Sequence, residues 1–210
     1  MLDNIKVYEQ NSIRISSENG VIYVDPFRIP SEMHDADYIL ITHDHYDHFS
    51  TEDIEKVAAK KTILVVPEKM EKTISKVLDL VSKVVTVKPG SNYEIDGLEL
   101  DTVAAYNLLR PFHPKSSGWV GYILMVEGKR IYIAGDTDAT KEAKAVKCDV
   151  AMVPIGGTYT MNAKSAAELI NEICPEIAIP VHYGSIVGSP EDGKVFADIV
   201  KPPIDVQLMI

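Results

Sequence analysis

The sequence predicts an α/β protein in which two mixed β-sheets pack against each other and helices cover their outer surfaces, a four-layer αβ/βα sandwich. Short β-rich runs occur in both halves of the chain, and helical segments flank them. No linker, internal repeat or low-complexity tract divides the 210 residues. A chain of this length can bury one sizeable core, so we expect a single domain over residues 1–210.

The first half of the chain is rich in strands. Three short β-rich runs, IKVYEQ, SIRISSE and VIYVDP, are separated by Asn, Ser and Gly, as in antiparallel pairs. The run YILIT (38–42) is apolar and too short for a helix, which predicts a buried strand. A helix should begin after Ser50, because Ser50 can cap it and Asp53 stands three positions later. A buried strand over TILVVP, a helix over PEKMEKTISKVL and a meander from Val84 to Tyr106 follow.

The second half alternates between strands and helices. It opens with a hairpin whose strands, 119–126 and 130–134, flank the turn EGKR. Helices are predicted over DATKEAKAV, AKSAAELINEI and PEDGKVFADIV, and strands over VAMVPI, IAIPV and DVQLMI. This order supplies helices to cover a second sheet.

Charge and composition limit the classes of partner that we expect for this protein. The formal charge of −10 disfavours attraction to phosphate backbones, so we expect no nucleic-acid substrate. No stretch approaches the roughly 18 apolar residues of a membrane span, and the N-terminus lacks the apolar run of a signal peptide. Cys148 and Cys174 form no CxxC pair and are interpreted as buried thiols in a reducing compartment. A cytoplasmic protein without a membrane partner is the expectation.

Residues 43–48, HDHYDH, place three of the six histidines directly behind the buried strand 38–42. Side chains alternate along an extended segment, so His43 and His45 point the same way and can clamp one ion. Where the chain turns into the helix, Asp47 and His48 can reach a second point nearby. Imidazoles and carboxylates without cysteine are typical of catalytic rather than purely structural zinc sites. The loop therefore predicts two adjacent ion sites.

Further ligands must come from elsewhere, because four side chains cannot fill two coordination shells. His113 lies in a loop ahead of a strand, whereas Asp136 and His182 each follow an apolar strand. Ligand-type residues grouped at one edge of a sheet are what a metal pocket requires. Taken one at a time, these residues could equally be packed or turn residues, and it is the cluster that favours a metal site.

The motif HDHYDH resembles the H-x-H-x-D-H signature of the metallo-β-lactamase superfamily. Other elements of that superfamily follow in order over nearly the whole chain: Asp25 in VIYVDPF, His113, GDT around Asp136, and PVHYG around His182. The resemblance implies the αββα sandwich of that family and the following ligand set: His43, His45 and His113 for a first metal; Asp47, His48 and His182 for a second; Asp136 as the bridge.

Several branches of the superfamily do not fit. The diiron reductases have Glu where this chain has His45, the nucleases insert a large domain, and the secreted lactamases carry an export signal. The remaining small single-domain group is similar to ascorbate-6-phosphate lactonase and to the phospholipase D that acts on N-acyl phosphatidylethanolamine. Thr158 departs from the His expected in that group, so its substrate specificity does not transfer to this chain.

The implied chemistry is hydrolysis of a small ester-type bond, in a lactone or a phosphodiester. Two divalent ions, Zn, Mn or Fe, about 3.5–4 Å apart can hold a bridging hydroxide that is available at pH 7. Asp47 and Asp136 are ligands that could also accept the proton as the hydroxide attacks. Ligand type alone does not distinguish among these metals.

Four residues outside the ligand set are assigned supporting roles. Asp25 is predicted to orient a ligating imidazole, with a turn residue ahead of Pro26 as the alternative. Arg110 and Lys115 form a hypothetical site for an anionic substrate, with ordinary surface charges as the alternative. Tyr183 is a candidate donor to a developing oxyanion.

Two other functions stay open at this point. A noncatalytic metal-binding protein of the same fold is one, although the complete ligand set argues for an enzyme. A glyoxalase-like thioesterase is the other, although the short C-terminus offers no obvious glutathione surface. A small-molecule substrate is expected, and the oligomeric state is left open.

Overall fold

A computed structural model describes residues 2–108 and 111–210. Its first sheet has six strands in the order β1 to β6. Pairing is antiparallel from β1 to β3 and parallel from β3 to β6, so the sheet is mixed. The strands are β1 (Ile5–Val7), β2 (Ile13–Ser17), β3 (Gly20–Val24), β4 (Ala36–Leu40), β5 (Ala58–Pro67) and β6 (Lys83–Val87).

The second sheet is also mixed and has seven strands in the order β13-β12-β11-β10-β9-β8-β7. Strands β10 to β13 run parallel, whereas β7 to β10 pair antiparallel. The strands are β7 (Asn92–Ile95), β8 (Leu98–Ala104), β9 (Val120–Val126), β10 (Lys129–Ile133), β11 (Val150–Pro154), β12 (Ile177–Val181) and β13 (Asp205–Val206).

In the described residues, four α-helices flank the sheets, and three apolar cores separate the layers. The helices are α1 (Thr51–Val57), α2 (Lys141–Lys144), α3 (Ala163–Ile173) and α4 (Asp192–Ile199). One core takes inward-facing residues from both sheets, such as Ile22 and Tyr122. A second packs α2, α3 and α4 on the second sheet, and a third packs α1 on the first. The predicted four-layer sandwich is thus confirmed.

Strand alternation explains how one strand serves two cores. Ile22 and Val24 of β3 face the inter-sheet core, whereas Tyr23 between them belongs to the outer core beneath α1. Side chains of a strand alternate between its two faces, so a strand covered on both sides must be apolar throughout. The same reasoning accounts for the unbroken apolar run that predicted β4.

Two element predictions were wrong. The helix expected over 67–78 is instead a series of single 3₁₀ turns at Glu68–Met70, Thr73–Lys76 and Leu78–Leu80. Pro67 completes β5, and the β-branched residues that follow have low helix propensity. The expected meander is divided, because β6 pairs with β5 whereas β7 and β8 join the other sheet. Alternation predicts a strand but does not identify its partner.

Smaller differences concern the bounds of two elements and the exposure of one cysteine. Helix α2 is a single turn within the predicted segment, and β13 covers only the start of the predicted closing strand. Cys174 was predicted to be buried but is exposed, because it ends α3 in a left-handed conformation with φ of 51°. No helix in the described ranges has both the length and the apolar composition needed to traverse a bilayer.

The N-terminus of α1 follows the loop that contains residues 43–48, and hydrogen bonds hold it in place. The Ser50 hydroxyl accepts a hydrogen bond from the Asp53 backbone N–H at 3.3 Å, which confirms the predicted cap. The Asp53 carboxylate does not complete a capping box, because it accepts from the backbone N–H groups of Arg28 and Ile29. Helix α1 is therefore tied to the segment that follows β3.

Replacing Ser50 with Ala is expected to lower the free energy of unfolding by about 1 kcal/mol, because it removes this cap. Urea unfolding followed by the fluorescence of the single tryptophan measures the change. Ser31→Ala, at an exposed position, is the control and should shift the midpoint little. An equal effect of the two substitutions would contradict the capping role.

Candidate metal centre

All seven predicted ligand side chains lie together at one edge of the two sheets. Their loops follow β4, β8, β10 and β12, and these strands end at the edge where the ligands meet. One group contains His43, His45, His113 and Asp136; the other contains Asp47, His48 and His182. Within each group the ligand atoms lie within 4.8 Å of one another. The structure thus shows the predicted convergence, whereas the individual ligand roles remain predictions.

The first group surrounds a point with three imidazole nitrogens and one carboxylate oxygen. His43 Nε2 and His113 Nε2 lie 3.1 and 3.3 Å from His45 Nδ1. Asp136 Oδ2 lies 3.8 Å from His43 Nε2 and 3.4 Å from His113 Nε2. Neighbouring donors around a tetrahedral zinc ion lie about 3.3 Å apart, given bonds of about 2.0–2.1 Å. The spacing therefore fits a cation of that size.

The second group has two imidazole nitrogens and a carboxylate. His48 Nε2 lies 3.2 Å from His182 Nε2, and Asp47 Oδ2 lies 3.7 and 3.4 Å from those two atoms. Asp136 completes this group through its other oxygen, since Oδ1 lies 3.3 Å from both His48 Nε2 and His182 Nε2. One carboxylate therefore faces both groups.

Asp136 Oδ1 provides the test of whether a cation fits. This buried atom has no hydrogen-bond partner among the described residues, although a buried carboxylate oxygen normally requires one. Its nearest groups are His48 Nε2 and His182 Nε2, each 3.3 Å away, and a ring nitrogen in its metal-binding form presents a lone pair, which cannot donate. A cation satisfies the oxygen and the lone pairs at once, so the donor set fits a divalent metal.

Hydrogen bonds on the far side of the rings fix which nitrogen faces the centre. Asp25 Oδ2 accepts from His48 Nδ1 at 2.7 Å and from the Thr42 hydroxyl at 2.6 Å. Because that hydroxyl donates to Asp25, it can accept from His43 Nδ1, which lies 3.0 Å away. In the neutral form of each ring, these bonds place the proton on Nδ1 and turn an unprotonated Nε2 toward the centre. This geometry supports the orienting role predicted for Asp25 over the alternative of a simple turn residue.

Asn107 orients the third ring in the same manner. Its Oδ1 accepts from His113 Nδ1 at 2.9 Å, and its Nδ2 donates to the Tyr159 carbonyl at 3.0 Å. Trp119 packs beside the first group, with its ring centroid 4.9 to 5.2 Å from those of His43, His45 and His113. Its fluorescence should therefore report metal binding.

Burial and charge set the protonation states. Burial lowers the pKa of His113 to about 4 and that of His43 well below its ordinary value, which keeps both imidazoles neutral. Burial alone would raise the carboxyl pKa values, but His182 and His48 hold that of Asp47 at about 2 and that of Asp136 well below its usual range. Neutral imidazoles and ionised carboxylates are the forms that bind metal.

The pKa of His48 is shifted in the opposite direction to those of His43 and His113. Burial would lower its pKa, but the carboxylates of Asp136 and Asp25 outweigh burial and raise it well above the ordinary value. Without a cation, a proton at this ring partly balances the carboxylates. A bound metal would take over that role.

Gln10 is a residue of the centre that the sequence did not indicate. It is fully buried in the connection between β1 and β2, with φ of 53°. Its side-chain Nε2 lies 3.3 Å from Asp47 Oδ2 and 3.3 Å from His182 Nε2. Its backbone carbonyl accepts a hydrogen bond from the His182 backbone N–H at 2.9 Å. Thr42 and Asn107 were missed as well. A polar residue in a connection is ordinarily solvated, so no local signal distinguishes these three.

Gln10→Asn tests this contact, because Asn tolerates the positive φ of this position. The shorter side chain should no longer reach Asp47, and affinity for one of the two ions should fall by about tenfold. Chelator competition measures the release of each ion. Gln207→Asn, near the C-terminus, is the matched control. Identical release curves for the two variants would contradict a role for Gln10.

Two of the three predicted substrate contacts lie elsewhere in the structure. Tyr183 is 2% exposed and packs into the core beneath α4, with its hydroxyl against Gly193. His182 faces the centre, so its neighbour points away. Lys115 donates to Glu142 Oε1 at 2.6 Å and lines a separate surface cavity. Neither residue lines the opening above the two donor groups. Arg110, the third, lies outside the described residues.

The centre opens into a cavity of about 330 Å³. Ligands from both groups, His45 and Asp136 of the first and Asp47 and His182 of the second, line its floor. Apolar side chains from the surrounding loops form its walls. A small molecule can therefore reach both donor groups from solvent.

Comparisons with known proteins agree with this geometry. A model described as the β-lactamase superfamily domain matches residues 4–182. A UPF0173 metal-dependent hydrolase of Staphylococcus aureus is 29% identical over an alignment 228 positions long, which covers 98% of this chain and 96% of that protein. A structure from Parabacteroides distasonis, provisionally described as a metal-dependent hydrolase, has 31% identity and a TM-score of 0.81, with 97% and 91% covered. Igni18, a metallo hydrolase of Ignicoccus hospitalis, shares the fold at 21% identity and a TM-score of 0.76, with 98% and 94% covered.

Proposed function

The chain belongs to the β-lactamase superfamily, and from that premise we propose a hydrolase that works with two divalent cations. Like the relatives it resembles, it is a metal-dependent hydrolase. The proposed substrate is a small molecule with an ester-type bond, either a lactone or a phosphodiester. The observation that carries the proposal is the pair of donor groups that share Asp136 through its two oxygens.

Zn, Mn or Fe ions bound there would lower the pKa of a shared water toward neutrality, polarise the substrate oxygen and supply a hydroxide nucleophile. The residues of the chain hold and orient this arrangement. Asp25, Thr42 and Asn107 keep the imidazole rings from rotating, so the donor atoms are organised before a substrate arrives.

Asp47 is the better placed of the two carboxylates to pass a proton to solvent. Its side chain is 12% exposed, against 4% for Asp136, and it lines the cavity. Asp136 has one oxygen committed to each donor group. We therefore assign the movement of the proton to the Asp47 carboxylate and the bridging position to Asp136.

Metal analysis and turnover test the proposal together. Protein purified without added metal should contain close to two divalent ions per chain. It should hydrolyse a simple lactone or bis-p-nitrophenyl phosphate, lose that activity with a chelator and regain it with Zn²⁺ or Mn²⁺. Metal-loaded protein that turns over neither substrate class would refute the proposed reaction, and a saturating content of one ion would refute the dinuclear site.

A further inference from the structure

The walls of the cavity above the metal centre are apolar. Four loops contribute to them, and three of these loops also carry ligands. The wall residues are Tyr46, Phe112, Tyr159, Ile186 and Val187. Each of these side chains stands within the same opening as the ligands, so a group bound among them would lie next to the reacting bond.

These side chains are unusually exposed for their type. Tyr46 is 66% exposed, Phe112 52%, Tyr159 39% and Ile186 36%. They account for four of the ten large apolar side chains that the described residues leave exposed, and none of them belongs to the three cores. Exposed apolar surface gathered at one place marks a binding site more often than scattered residues do. Folding does not require these side chains here, so binding explains their position.

Aromatic contacts hold the walls in place before anything binds. Phe112 and Tyr159 meet edge to face with centroids 5.1 Å apart, although they come from different loops. Tyr46 makes a similar contact with Phe27 at 6.1 Å. Asn107 Nδ2 further ties the Tyr159 carbonyl to the loop that carries His113. A preformed apolar wall binds with less loss of conformational entropy than a flexible one.

Away from the two donor groups, the side chains around the cavity favour an uncharged occupant. In the described part of the chain, no Lys or Arg lines it, and its acidic side chains, Asp47 and Asp136, belong to the donor groups, where bound cations would offset their charge. The basic residue expected to attract an anion, Lys115, is paired with Glu142 in a different cavity. This environment offers an alkyl or aryl group apolar contact and gives a phosphate away from the metals no cationic partner.

We propose that the wall residues form an apolar subsite for the uncharged alkyl or aryl group of a carboxylic ester or lactone. This inference rests on the proposed function and narrows it from ester-type bonds to neutral carboxylic esters. In the reaction, water adds across the acyl C–O bond, which gives a carboxylic acid and an alcohol without any change of oxidation state.

A series of γ-lactones with ring substituents from hydrogen to hexyl tests the subsite by turnover. Each added methylene should raise kcat/KM by about fourfold until the cavity is filled, because burying a methylene contributes about 0.8 kcal/mol. Bis-p-nitrophenyl phosphate serves as the anionic comparison and should be the poorer substrate. Lactone turnover that does not depend on the substituent would overturn the subsite while leaving the proposed hydrolase intact.

Binding of γ-lactams with the same substituents gives a readout that does not require hydrolysis. Calorimetry on the metal-loaded protein should show a Kd that falls by a similar factor for each methylene. If the lactams bind in this way but no lactone is hydrolysed, the subsite stands and the proposed reaction falls. A Kd that is independent of chain length overturns the subsite whatever the turnover shows.

Phe112→Ala and Ile186→Ala should flatten the dependence of Kd and kcat/KM on chain length while the metal content stays unchanged. Leu78→Ala is the matched control, since Leu78 is 47% exposed but lies away from the cavity, and it should keep the full dependence. A full chain-length dependence in both wall variants would overturn the assignment of these residues.

Discussion

Asp136→Asn is expected to reduce the bound metal to at most one ion per chain and to lower turnover by about 10³-fold or more. Asn keeps one oxygen but replaces the other with an amide nitrogen, which cannot bind a cation. Either Oδ1, 3.3 Å from His48 Nε2, or Oδ2, 3.4 Å from His113 Nε2, is therefore lost to its group. Elemental analysis of the purified variant, followed by turnover of a lactone, measures both effects.

The metal-free form of this variant should fold at least as well as the parent protein. In the metal-free protein, Asp136 is a buried carboxylate that stays ionised only because of the imidazoles around it, and a buried charge is costly unless it is well paired. Urea unfolding in the presence of a chelator therefore separates loss of metal from loss of fold.

Asp44→Asn is the matched control for Asp136→Asn. Asp44 lies within the same histidine loop, but its side chain is exposed and belongs to neither donor group. The control should keep two ions and full turnover. If Asp136→Asn also kept two ions and turnover within about threefold of the parent, the shared carboxylate would not bridge the two groups.

The convergence of the seven side chains could be predicted from the sequence because the signal for each of them is local. His43 and His45 are separated by one residue at a strand end, so alternation alone places them on one side. Asp136 and His182 each follow an apolar run that is recognisable as a strand. Strand ends of an α/β sandwich meet at a common edge, so residue type and position together were sufficient to predict the convergence.

The residues that hold the ligands could not be predicted in the same way. Gln10, Thr42 and Asn107 are ordinary polar types, and which groups they contact depends on the tertiary fold. Gln10, for example, meets His182 across 172 positions. Closeness in sequence also does not place a side chain at the centre, since Tyr183 and Lys115 lie within two positions of His182 and His113 but point elsewhere. Three-dimensional packing decides both cases.

Asp25→Ala is expected to lower the free energy of unfolding by roughly 3–5 kcal/mol, the largest stability effect that we predict. The Asp25 side chain is fully buried. It accepts hydrogen bonds from Asn11 Nδ2, the Thr42 N–H, the Thr42 hydroxyl and His48 Nδ1. Alanine would leave these donors without an acceptor, and it tolerates the φ of 46° less well than Asp or Asn, whose side chains can hydrogen-bond locally.

Asp25→Asn separates the role in metal binding from the role in folding. Asn tolerates positive φ and can still accept from the Thr42 N–H, but its amide nitrogen cannot accept from His48 Nδ1. The imidazole of His48 should lose its fixed orientation, so affinity for one of the two ions should fall by about 10- to 100-fold. Chelator competition monitored by Trp119 fluorescence measures the affinity.

The control for Asp25→Asn is Asp96→Asn, because Asp96 also has a positive φ, 48°, but its side chain is 59% exposed beside Lys83. An effect of backbone conformation would appear in both variants, whereas an effect of the Asp25–His48 hydrogen bond would appear in one. If Asp25→Asn bound both ions as tightly as Asp96→Asn, the second donor group would not depend on Asp25. In that case the stability lost in Asp25→Ala would reflect packing and burial alone, because ring orientation would have no measurable effect on the metal.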